Sequence, residues 1–149
     1  MNQAHYHLAL NHLPIIIPMI GLLVLIGGFL TQSETVRRTA CLIFVLGALA
    51  TIPAIGTGEG AEEAVENISG ISEITIHGHE EMAETFAVLS YILGLVALAA
   101  FWLSWKKSRS ARYLAYALIA YSAVVIYFAV QTGNSGGLIR HPEIIAETK

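Results

Sequence analysis

Residues 85–105 read TFAVLSYILGLVALAAFWLSW, twenty-one positions without a charge. Wound as a helix at about 1.5 Å per residue, this run spans the roughly 30 Å hydrocarbon layer of a bilayer. Three further tracts are free of charge in the same way: 13–33, 39–58 and 113–139. The chain of 149 residues is 55% hydrophobic and 13% charged, with a mean hydropathy of +0.63. A soluble domain carries about 25% charged residues, so much of the usual aqueous surface is missing. The expected fold is all-α: a single integral membrane domain over 1–149, with spans at about 12–30, 39–55, 76–105 and 111–131. Short hinges between the first two spans and between the last two predict an up-down-up-down four-helix bundle.

The first tract is expected to be a retained helix rather than a cleaved signal. No Lys or Arg precedes it, and its apolar run is longer than a signal core. Cys41 is the one cysteine, which excludes an internal disulfide, a CxxC pair and a CxxCH haem attachment. Arg37, Arg38, Lys106, Lys107, Arg109 and Arg112 fall in the two short hinges, whereas Arg140 and Lys149 lie on the opposite side. Short loops rich in Lys and Arg stay cytoplasmic, so both termini are expected on the outer, periplasmic side of a bacterial inner membrane. The sequence has no Asp, and all of its Glu except Glu34 fall on that outer side. Trp102, Trp105, Tyr113 and Tyr116 stand at the inner boundary, where amphipathic rings settle.

Two outer segments are not expected to span. Over residues 59–69 Ala61, Ala64, Val65 and Ile68 recur at helical spacing opposite Glu59, Glu62, Glu63 and Glu66. That pattern predicts a short amphipathic helix across the outer mouth. After Gln131 the sequence TGNSGGLIRHPE predicts a tight reversal at Gly136 and Gly137. Such a turn would fold Arg140 and His141 back over the same mouth.

All six histidines, His5, His7, His12, His77, His79 and His141, belong to the outer side. An imidazole at a membrane boundary is expensive unless it bonds something, which makes each a candidate functional residue. At about 100° per residue His77 aligns with Glu81 and Glu84, while His79 aligns with Phe86, Ser90, Leu93 and Ala97. His79 is therefore expected to face the interior. His12 opens the first span as His79 opens the third, at the same depth on diagonal helices. Two neutral imidazoles facing each other suit the axial positions of a b-type haem. Arg140 is then the expected partner of a haem carboxylate, with His141 beside it. An alternative non-haem site for zinc or copper uses His77, Glu81 and Glu84 with the amino-terminal histidines, although HGHEE matches no strong ligand motif. Boundary histidines bonded only to loop carbonyls or water, in a structural subunit without a cofactor, complete the alternatives.

HxxxxHLP at residues 7–14, His79 opening the third span, and GGLIRH at 136–141 resemble a family of bacterial four-helix membrane proteins labelled domain of unknown function two-two-three-one. Members resemble an HPxxVHFP start and a GGxLVxxHG ending, and some are fused to c-type cytochrome domains, which implies redox work. Here Leu13 replaces the usual Phe, His7 is not followed by Pro, and Pro142 stands where Gly is common. Together these readings lead to a membrane-bound b-type cytochrome, or a haem-carrying subunit of a larger respiratory complex, rather than a stand-alone enzyme. Its haem is expected in the outer half, held by His12 and His79 with Arg140 and His141 nearby. The inner half contains no histidine, so a stack of haems crossing the bilayer is not expected. The expected partners are membrane lipid, quinol or a soluble cytochrome, and other respiratory subunits; nucleic acid is not among them.

Overall fold

The computed structural model describes residues 3–64 and 71–140, with Arg140 described by its backbone alone. Six helices follow in order: α1 (Gln3–Leu10), α2 (Leu13–Leu30), α3 (Glu34–Gly56), α4 (Gly58–Glu62), α5 (Glu73–Trp105) and α6 (Ser110–Arg140). No strand occurs among the described residues. Four segments are long and apolar enough to cross a membrane: Gln3–Leu30, Glu34–Gly56, Glu73–Trp105 and Ser110–Ile139. The first joins α1 and α2 through a turn at Asn11 and His12. The Asn11 N–H donates to the His7 carbonyl at 2.9 Å, and the Ile16 N–H to the His12 carbonyl at 3.0 Å.

Packing follows a ring: α2 lies against α3, α3 against α5, α5 against α6, and α6 against α2. Where α3 meets α5, a Cβ placed on Gly94 would come within 2.5 Å of the Ala48 methyl, so only glycine permits the approach. Leu25, Phe44, Leu93, Leu118 and Val125 are fully enclosed, while Leu23, Leu30 and Leu95 are 70%, 80% and 68% exposed. Large apolar side chains on the outside are what a hydrocarbon solvent requires. Polar bonds add to the packing: the Thr51 and Ser90 hydroxyls meet at 3.0 Å in the interior, and Tyr121 donates to the Leu89 carbonyl at 3.2 Å.

The turns at 31–33 and 106–109 meet at one end. Each ends its helix with a residue in the left-handed region, Gln32 at φ 53° and Lys107 at φ 55°. In each the following N–H closes the turn, Ser33 to the Gly28 carbonyl at 3.0 Å and Ser108 to the Leu103 carbonyl at 3.0 Å, which is the Schellman pattern. Arg38 on α3 joins the two turns, donating to the Ser104 hydroxyl at 2.8 Å and to the Ser104 carbonyl at 2.7 Å. Glu34 accepts from the same hydroxyl at 3.1 Å. This is the basic end of the molecule.

Two expectations at the opposite end are corrected. The reversal at Gly136 and Gly137 does not occur, because α6 continues through Arg140. Each glycine weakens a helix by about 1 kcal/mol in water. Side-chain bonds offset this: Thr132 donates to the Met82 and Phe128 carbonyls at 3.2 and 2.9 Å, and Ser135 to the Thr132 carbonyl at 2.9 Å. The amphipathic helix expected over 59–69 begins as α4 but closes at Glu62, and a turn follows at 63–64. Residues 65–70 lie outside the described residues, as does His141.

Candidate functional site at the histidine end

The third span behaves as its helical wheel implies. Phe86, Ser90, Leu93, Gly94 and Ala97 are buried, and His79 above them is half-buried. His77 points outward, its side chain 76% exposed, and its Nδ1 lies 3.3 Å from Glu80 rather than against Glu81 or Glu84. Both of those carboxylates are exposed. Among the described residues no group of three or more His, Cys, Asp or Glu is gathered to hold a metal ion, so the alternative set of His77, Glu81 and Glu84 is not assembled there.

His12, expected opposite His79, is exposed at the entry to α2, where its Nδ1 meets the side-chain oxygen of the adjacent Asn11. The other half-buried histidine at this end is His7, whose electrostatic influence reaches His79. His7 stands on α1, an eight-residue helix packed on α4 and on the end of α3. Its position missed notice in the sequence because α1 has no apolar stripe. The available signal was polar: Gln3 and His7 are four residues apart and share a helix face, and both lie against α4, Gln3 at Gly60 and His7 near Gly58.

Both rings are hydrogen-bonded through Nδ1, and for His7 the bond fixes the tautomer. His7 Nδ1 lies 3.1 Å from the Ala54 carbonyl and 3.3 Å from the Thr57 hydroxyl. A carbonyl only accepts, so Nδ1 carries the proton. His79 Nδ1 lies 2.9 Å from the Ser135 hydroxyl. The Thr132 carbonyl, which accepts from that hydroxyl, also bonds the His79 ring. Both imidazoles are thus anchored through Nδ1, and the Nε2 of His7 has no partner among the described residues. An anchored Nδ1–H with a free Nε2 lone pair is how proteins orient an imidazole that ligates a metal.

The ring of His79 is seated against α6. A Cβ at Gly136 would stand 3.0 Å from its Cε1, 3.4 Å from its Nδ1 and 3.5 Å from its Nε2, so any larger residue would crowd the ring. Ser135 and Gly136, two consecutive residues, therefore anchor the ring and make room for it. Arg140 follows Gly136 by four residues on α6. Glu59, Glu63, Glu73, Glu80, Glu81 and Glu84 are exposed around this end and give it an acidic surface.

Comparison of the chain with protein-family models, with curated proteins and with solved structures finds no match. The chemistry of the site therefore stands on its residues: two neutral nitrogen donors, from different helices, at one end of an apolar helical assembly.

Proposed function

We propose that this protein is a membrane-bound b-type haem protein that passes single electrons at the outer face of a bacterial inner membrane, alone or as a subunit of a respiratory complex. The observation that carries the reading is the pair His7 and His79, two half-buried imidazoles at one end of the molecule, each anchored through its Nδ1. Two imidazole nitrogens are a full axial set for haem iron. Zinc and copper usually take three or four protein ligands, and the described residues gather no third. His7 thus takes the role that the sequence suggested for His12.

A haem bound there would supply the one-electron chemistry. The chain's own groups do the rest. Ala54, Thr57 and Ser135 hold the two rings in orientation. In this reading Arg140, four residues after Gly136 on α6, supplies positive charge for a haem carboxylate, with His141 next to it in sequence. The acidic surface favours a basic soluble cytochrome as partner, while quinol reaches the same level from the membrane.

The topology belongs to the same proposal: an up-down-up-down bundle with both termini outside. It is supported by the gathering of six of the eight basic residues at the end where the two turns meet. In a Cys41→Ala background, a cysteine at Ser72 should react with a membrane-impermeant thiol reagent in intact cells, and one at Ser110 should not. Reaction at Ser110 alone would reverse the orientation. The function is tested by the visible spectrum of the purified protein, as isolated and after titration with haemin. A low-spin spectrum with two nitrogen ligands is expected. A protein that stays colourless through the titration would overturn the haem reading.

A further inference from the structure

The basic end holds a cavity of about 430 Å³ between the two turns. Arg37, Arg38, Lys107, Arg109 and Arg112 line it against one carboxylate, Glu34. That carboxylate is already engaged, 3.4 Å from Arg38 and accepting from Ser104. Arg38 in turn is committed to Ser104, and Arg37 donates to the Gly28 carbonyl at 3.4 Å and lies over the Phe29 ring. Lys107, Arg109 and Arg112 have no acceptor among the described residues. The cavity therefore carries a strong excess of positive charge, and its unsatisfied part comes from one short segment.

Positive-inside sorting explains why basic residues collect at this end, but not why they converge on a cavity. Nor does it explain the back wall, formed by Cys41, Ala100 and Ala115, which are 4%, 2% and 5% exposed. Small apolar side chains behind a ring of cations make an amphiphilic pocket. Lys107 is held in the left-handed region at φ 55°, a conformation that costs a non-glycine residue about 1–2 kcal/mol. A side chain is kept there although glycine would serve the turn better. Tyr113 lines the cavity, and Trp102 and Trp105 are exposed on the last turn of α5, ring types that settle at the level of lipid headgroups.

We propose that this cavity binds a phosphate-bearing anion, and that the phosphate is the headgroup of an anionic phospholipid. Lys107, Arg109 and Arg112 take the phosphate oxygens, and the apolar back wall receives the glycerol and first acyl carbons. Basic pockets between membrane helices are suited to such headgroups. The site is at the opposite end from His7 and His79 and does not depend on the haem reading.

The full chain, reconstituted in nanodiscs of phosphatidylcholine containing a minority of phosphatidylglycerol, is released and examined by native mass spectrometry. Retained phosphatidylglycerol is expected on the wild-type protein. Retention should fall about fivefold for each cation removed, in Arg109→Gln and in Lys107→Gly. Lys107→Gly is the variant that keeps the fold, because it relieves the left-handed residue, and its unfolding midpoint in detergent should not fall. Inorganic phosphate at millimolar concentration should not displace the lipid. Equal retention by wild type and both variants would overturn the site. Displacement by inorganic phosphate, or saturable phosphate binding in phosphatidylcholine alone, would overturn the lipid as its source.

Discussion

Two polar clusters, one at each end of the molecule, treat their side chains in opposite ways. At the basic end Arg38, Glu34 and Ser104 form a closed network, in which each group satisfies another. At the histidine end His7 and His79 are anchored through Nδ1, and the second nitrogen of His7 is left without a partner among the described residues. A closed network ties helices together. A half-closed one holds a side chain in readiness for something that is not part of the chain. The difference separates residues that hold α3 to α5 from residues expected to act.

The comparison breaks most visibly at Arg38. Replacing it with Ala removes two bonds to Ser104 and the cation beside Glu34, and hydrogen bonds to charged groups are worth about 1.5–3 kcal/mol. Arg38→Ala should lower the unfolding free energy in detergent by about 3 kcal/mol while leaving any haem spectrum unchanged. A spectral change of the same size as the stability loss would show that the two ends are not separate. A smaller effect lies midway, where Thr51 meets Ser90. Thr51→Val should cost about 1 kcal/mol, the scale of a hydrogen bond between membrane helices. Thr51→Val with Ser90→Ala should recover part of that loss, since no hydroxyl is then left unpaired.

Opposite in sign is Gln32→Gly. Relief of the left-handed φ of 53° should raise the unfolding midpoint, by about 1 kcal/mol in free energy. No change would mean that the Schellman turn is held by more than its backbone. The smallest effect on stability is expected at Gly136→Ala. Its helix propensity gain of about 1 kcal/mol is opposed by crowding of the His79 ring, 3.0 Å from the added carbon. The same variant should visibly disturb a low-spin haem spectrum, which a bland position on α6 would leave intact.

The parts of this arrangement that follow from solvent were legible in the sequence. Charge-free tracts mark helices long and apolar enough to cross a membrane, and each of the four candidate spans contains most of one. The inward face of α5 was equally plain, because His79 shares a stripe with Phe86, Ser90, Leu93 and Ala97, and His77 does not. What escaped was tertiary. α6 persists through Gly133, Gly136 and Gly137 because Thr132 and Ser135 bond across and along the helix, and no local propensity carries that information. α1 escaped because its contacts are polar and lie against small residues of α4 and the end of α3, a surface without hydrophobic period. Depth alone pointed to His12, which is exposed beside Asn11, whereas His7 is half-buried on α1 against Ala54 and Thr57.

That exchange of partners is the central claim, and single-histidine variants test it most directly. Haemin titration of the purified protein should give a low-spin, two-nitrogen spectrum in the wild type and in His12→Ala. In His7→Ala and His79→Ala that spectrum should be lost or become high-spin, since each lacks one of the two proposed axial nitrogens. Retention of the low-spin spectrum in His7→Ala together with its loss in His12→Ala would contradict the account and restore His12 as the partner of His79.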